Sequence, residues 1–298
     1  MKKKKAIKNI KESLALVLIV LLLFTITDIV LTAGYPFRNH DFFPKNDFEK
    51  TIAIHGTTNF ERVFFGNSAV VSAFREELSD SGYVEFGLNW GKATYMQYML
   101  EGGYITVSES LVLGLNIFTL MDNLDSDQSY IWHRRSLEPY VFFFRNRLRN
   151  FFTGALDNVL DGDFSISRYT RLQKFLYRGT LTDEQMEARL VILEERFWGL
   201  PLSDFYSNLT SLERIAVFCK ANDIRLRVVW MPYNPFSPKP ELYLQIMDKA
   251  NAILYAFDIE VLDLSDAFSQ ENFHDTGHFN DEVGAPNFTR EIDLWLRG

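Results

Sequence analysis

The hydrophobic positions of this chain follow two patterns. From Leu14 to Ala33 they run almost unbroken, LALVLIVLLLFTITDIVLTA, with Asp28 as the single charge. Past residue 59 they break into short units. RVFFGNS (62–68) reads as a strand, and AVVSAFREEL (69–78) has helical spacing. YVEFGLNWG (83–91) is a second strand closed by Gly91, ATYMQYMLEGG (93–103) a helix with a glycine stop, and ESLVLGLNIF (109–118) a third strand. Alternating strands and helices predict an α/β protein with a central parallel sheet.

The alternation lapses from about residue 121 to 207, which reads as a helical insertion. Within it, TLTDEQMEARLVILEERFW (180–198) opens on a capping box from Thr182 to Gln185. The α/β pattern returns with a helix in LTSLERIAVFCKAN (209–222), where a second box is expected from Thr210 to Glu213. A strand in IRLRVVWMP (224–232), a long helix (239–257), a short strand in IEVLDLS (259–265) and a closing helix (281–296) follow.

The first apolar run is twenty residues long, 14–33. At ~1.5 Å per helical residue that matches the ~30 Å hydrocarbon core of a bilayer. Six lysines precede it, so the positive-inside rule puts the N-terminus in the cytoplasm and the remainder outside. A cleaved signal peptide has a shorter apolar core, ~7–15 residues, and LTAG is a poor cleavage site. The expected layout is a basic cytoplasmic tail (1–12), a single-pass cell-membrane anchor (13–34), a linker without periodicity (35–58) and an extracytoplasmic domain (59–298).

Charge sharpens this picture. The six lysines of residues 1–33 face only Glu12 and Asp28, a net +4, which leaves −12 for the rest of a chain whose total is −8. Such an acidic body argues against nucleic acid as a partner and mildly against a phosphate-rich polymer. Cys219 is the only cysteine, so it has no disulfide partner in the chain and reads as a buried, inert thiol.

In open parallel sheets, sites form beyond the carboxyl ends of the strands. Those ends deliver Ser68, Gly91, Asn116 and, after the last strand, Asp275 and His278. Together they have the logic of acyl transfer. Ser68 is a weak nucleophile that needs a base, His278 can take its proton near neutral pH, and Asp275 can fix the imidazole tautomer. The Ser68 and Gly91 N–H groups and the Asn116 amide are candidate oxyanion donors, with Asn89 a nearby alternative. Each residue also has a plainer reading: Ser68 as a helix cap, Gly91 and Asn116 as turn residues. His274 and His278 have zinc-ligand spacing only on a helix, and Gly277 argues against one. His40, His55 and His133 sit in no comparable setting, so no metal and no cofactor is expected, and His274 is read as a loop residue.

The motifs GNS (66–68), Gly91, GLN (114–116) and DxxH (275–278) resemble the SGNH (GDSL-type) hydrolase superfamily. The match covers residues 60–120 and 208–298. It departs from the commonest pattern in reading GNS for GDS, and in having Ile117 where many members carry aspartate. The resemblance implies a flavodoxin-like three-layer α/β/α fold and a serine hydrolase site. The anchor, VVWMPYNP (228–235) and the DxxHFNxxxG tail (275–284) are similar to the DltD-like teichoic-acid D-alanylation proteins and the AlgJ/AlgX-like alginate O-acetylation proteins. In that tail Asn280 and Gly284 would position the catalytic loop. This implies an esterase or O-acyltransferase acting on an envelope glycan or polymer beside a membrane-bound O-acyltransferase.

The alternative is an accessory subunit of such a system with little catalysis of its own. HRRSLEPYVFFFRNRLRNFF (133–152), with five arginines and one glutamate among aromatics, would be its contact face; packing on the body is the plainer reading.

Overall fold

The computed structural model describes residues 2–34, 46–124 and 174–298. The chain divides into two compact units; the first helix, α1 (Lys2–Gly34), belongs to one, and residues 46–124 and 174–298 to the other. Apolar side chains of α1 from Leu14 to Val30 are exposed. Among the described residues no helix is long and apolar enough to cross a membrane, so the span of residues 14–33 rests on the sequence.

The second unit is built on five strands: β1 (Asn59–Gly66), β2 (Val84–Gly87), β3 (Thr106–Leu115), β4 (Arg225–Trp230) and β5 (Glu260–Asp263). All pair in parallel, in the order β2-β1-β3-β4-β5. This is the flavodoxin-like order, and the direction of winding reverses between β1 and β3.

The strand interiors are apolar on both faces because helices cover both. Val63, Phe65, Leu111, Leu113, Val228 and Trp230 pack into one core with α4 (Ala93–Glu101), α6 (Tyr206–Ala221) and α7 (Glu241–Ala256). Their alternates Phe64, Val112 and Val229 pack on the opposite face with α3 (Ser68–Ala73) and α8 (Gly284–Arg297). The period of two along each strand thus assigns every residue to a layer. The outcome is a three-layer α/β/α body.

Several elements differ from expectation. The linker contains a helix, α2 (Asp47–His55), opened by a capping box between Asn46 and Glu49. Residues 69–78 do not form one helix: α3 stops at Ala73, and a 3-10 turn covers Glu76–Leu78. β3 stops at Leu115, where Asn116 caps a 3-10 turn over Ile117–Leu120. In the insertion, α5 (Asp183–Leu193) starts at the expected Thr182–Gln185 box and runs on as a π-helical turn, Glu194–Trp198. The Thr210–Glu213 box is absent because α6 begins earlier, at Tyr206. There the Asp122 carboxylate accepts from the Ser207 and Asn208 N–H groups, both at 2.9 Å, and caps the helix from a distant part of the chain. Residues 133–152 and the first part of the linker, 35–45, lie outside the described residues.

Candidate active site

Five positions picked from the strand ends meet at the carboxyl edge of the sheet, around the β1/β3 reversal. Asn67, the residue after β1, caps α3 by accepting from the Ala69 N–H at 2.9 Å. That leaves Ser68 at the first helical position with its hydroxyl uncommitted to capping. Its own N–H, as the first of the helix, has no intrahelical acceptor.

His278 reaches Ser68 from the far end of the chain. Its Nε2 lies 2.9 Å from Ser68 Oγ, and its Nδ1 lies 2.8 and 3.0 Å from the two Asp275 carboxylate oxygens. A carboxylate only accepts, so Nδ1 carries the proton and Nε2 presents a lone pair to the serine hydroxyl.

Asp275 is fixed from several sides. One oxygen accepts from the Gly277 and His278 N–H groups at 3.0 and 2.9 Å, and the other from Arg189 Nη1 at 2.5 Å. Asn234 Nδ2 donates to the Asp275 backbone carbonyl at 2.9 Å. The carboxyl is 1% exposed. Burial pushes its pKa up, but the His278 ring, the Gly277 N–H and Arg189 outweigh it and hold the group well below the usual carboxylate range.

The loop bearing these residues is a tight reversal closed by an antiparallel bridge between Phe273 and Phe279. Asn280 Nδ2 donates to the Glu271 carbonyl at 2.7 Å, and its Oδ1 accepts from the Val283 and Gly284 N–H groups at 2.9 Å. Gly284 packs directly on the loop: a Cβ there would stand 1.9 Å from the Asn272 carbonyl oxygen. His274 turns away from the serine, its Nδ1 lying 3.0 Å from the Arg178 and Gly179 carbonyls. Among the described residues no group of three or more His, Cys, Asp or Glu is placed to hold a metal ion.

The oxyanion donors are placed unequally. Asn116 lines the cavity beside Ser68. Its Oδ1 accepts from Asn67 Nδ2 at 2.8 Å, while its Nδ2 makes only a long 3.4 Å contact with Asn67 Oδ1 and keeps donor capacity. Gly91 does not fit the expected role. Its N–H donates to the Leu88 carbonyl at 2.7 Å and closes a turn whose corner, Trp90, has φ 58°. Glycine is required there because a Cβ would meet the Gly66 carbonyl oxygen at 2.3 Å. The Asn89 N–H is also engaged, with Asp47 at 2.8 Å, although Asn89 lines the cavity.

Two further residues belong to the site. Tyr177 stacks on the His278 ring, centroids 4.2 Å apart and planes 9° apart. Burial and the Asp275 charge push its phenol pKa up, against a smaller opposing effect of the Ser68 hydroxyl, so it stays protonated. Its segment is tied down by Lys174, which pairs with buried Glu85 at 2.8 Å and donates to the Gly87 carbonyl at 3.0 Å. The second residue is Arg189 of α5, half exposed and clamped on Asp275. Neither was legible in the sequence: each comes from the insertion, with no motif to mark it.

Ser68, Asn116, His278 and Tyr177 line one cavity of about 290 Å³ whose far side is aromatic. A nucleophile, a base, an orienting carboxylate and free donors around a partly apolar cavity are the parts that acyl transfer requires. No protein-family model matches the chain, and no curated protein is significantly similar to it.

Proposed function

We propose that the chain is a serine esterase or O-acyltransferase of the SGNH (GDSL-type) kind, anchored in the cell membrane by residues 14–33, with its α/β domain outside. It acts on a cell-envelope polysaccharide or teichoic acid through an acyl-serine intermediate. The observation that carries this reading is the hydrogen-bonded line from Ser68 through His278 to Asp275. The apolar run, the lysines before it and the exposed α1 side chains support the anchor.

In the first step His278 Nε2 takes the Ser68 proton as Oγ bonds to the ester carbonyl carbon. The Ser68 N–H and the Asn116 amide face the oxyanion. Collapse breaks the bond to the leaving alcohol, which receives the proton from His278. Water or a sugar hydroxyl, deprotonated by the same imidazole, then bonds to the acyl carbon, and as the bond to Ser68 breaks His278 returns the proton to Oγ.

The test is the intermediate itself. Full-length protein mixed with an activated acetyl ester and quenched with acid should gain the mass of one acetyl group, on the peptide holding Ser68. Acetylation only of lysines, at a rate unchanged in Ser68→Ala, contradicts the reading.

A further inference from the structure

Asp275 carries a charge partner that a serine–histidine–carboxylate triad does not require. Arg189 Nη1 lies 2.5 Å from one Asp275 oxygen, and His278 Nδ1 lies 3.0 Å from that same oxygen. The loop's own groups converge on the other oxygen: the Gly277 and His278 N–H groups at 3.0 and 2.9 Å, and Nδ1 again at 2.8 Å. The loop thus fixes one end of the carboxylate and α5 fixes the other. The two partners differ in exposure, 50% for the Arg189 side chain and 1% for that of Asp275. Arg189 makes this contact through one nitrogen, so it uses its charge and reach rather than the fork of the guanidinium.

Two cations therefore share one buried carboxylate whenever His278 holds a second proton. A buried carboxylate with no other cation would favour the imidazolium strongly, and an imidazolium cannot take the Ser68 proton. Arg189 draws on the same carboxylate and repels the imidazolium across it. Among the described residues, the charged groups lining the cavity are Arg189, Asp275 and His278, so no second cation shares this task from there. The groups around the ring are otherwise neutral or committed elsewhere. Ser68 of α3 is a neutral hydroxyl, and Tyr177 covers one face of the ring as a phenol. Asp47 of α2, which acts on that phenol, accepts from the Asn89 N–H, and Lys174 pairs with Glu85. His274 meets backbone carbonyls, Asp281 pairs with Arg75 at 2.6 Å, and Glu282 accepts from the Gly179 N–H.

We propose that Arg189 is a positioning residue of the reaction: by holding the Asp275 oxygen that the loop backbone leaves free, it fixes the Asp275–His278 pair and lowers the pH at which His278 can accept the Ser68 proton. This rests on the acyl-transfer reading and deepens it, since it makes α5 of the insertion part of the working site.

The test is the pH profile of kcat/KM for p-nitrophenyl acetate, measured on full-length protein in detergent. The acid limb of that profile reports the base of the free enzyme. In Arg189→Gln the limb should move up by roughly 0.5–1 pH unit, the half exposure of the guanidinium keeping the shift below that of a buried cation. The rate loss should then be about three- to tenfold larger below the limb than on the plateau. A side chain that only supported the fold would lower the rate equally at every pH. Arg189→Lys should keep the wild-type limb, because one cationic donor suffices. A limb that stays in place or moves down in Arg189→Gln overturns the proposal. An upward move in Arg189→Lys overturns it as well, and that variant reads out even where Arg189→Gln does not fold. If the wild type itself shows no Ser68-dependent cleavage, the acyl-transfer reading fails and takes the role of Arg189 with it.

Discussion

Ser68 and His278 are 210 positions apart in the chain, and the Oγ of one lies 2.9 Å from the Nε2 of the other. Two independent pieces of backbone make that distance. Asn67 caps α3 and frees the serine hydroxyl; Asn280 and Gly284 seat the histidine loop on the start of α8.

Asp275 holds the proton on Nδ1 of His278, so Asp275→Asn should present the wrong tautomer to Ser68. Ester cleavage should fall by about 10⁴ with the fold intact. Initial rates on an acetyl ester, alongside circular dichroism, check this; a loss below tenfold would contradict the role.

Asp275 also predicts a pH dependence of stability. Its folded pKa is lowered from an ordinary value of 3.8, so ionised Asp275 stabilises the fold above that pH. The stability advantage of wild type over Asp275→Asn should be full above about pH 5 and shrink as pH falls through 4 toward the lowered value. Urea midpoints for both proteins across pH 3–7 measure it.

Among the oxyanion candidates, Asn116→Ala should lower kcat by roughly 10²–10³, the usual cost of one such donor. Gly91→Ala should act differently. Its new Cβ would press on the Gly66 carbonyl, so the loss should appear first in stability, roughly 1–3 kcal/mol. Thermal melts and kinetics on both variants separate the two effects.

Lys174 and Glu85 form a buried pair behind the Tyr177 segment. Lys174→Met leaves the carboxylate without its partner and should cost about 3–5 kcal/mol. Burial already raises the Glu85 pKa above 4.5 despite Lys174, and removing the lysine raises it further. The folded variant then holds a proton that the unfolded chain releases, so its deficit should narrow as pH falls toward 4.5. A deficit that widens on acidification would contradict the pairing.

The sheet and the Ser68–His278–Asp275 line were legible because each depends on local pattern. Apolar runs of strand length end in the chemistry-bearing residues, and parallel pairing brings those ends to one edge of the sheet. Arg189 and Tyr177 were not legible, since they reach the site only through the packing of α5 and the loop beside it; Asn234 stands within the quoted VVWMPYNP stretch, but nothing in the sequence assigned it a role. The start of α6 was misread for a similar reason: its cap, Asp122, lies more than eighty residues away. The α2 helix was missed although its Asn46-to-Glu49 box stands in the sequence, because the preceding linker has no periodicity to continue. Gly91 was selected for a donor role, whereas close approach to Gly66 explains the residue.

The most direct test of the account is covalent labelling of full-length protein with a fluorescent fluorophosphonate. Such a probe reacts with a serine only when a base activates it. Wild type and His274→Ala should label alike, and Ser68→Ala and His278→Ala should not label at all. Labelling that survives in Ser68→Ala would contradict the assignment of Ser68 as nucleophile and the account built on it.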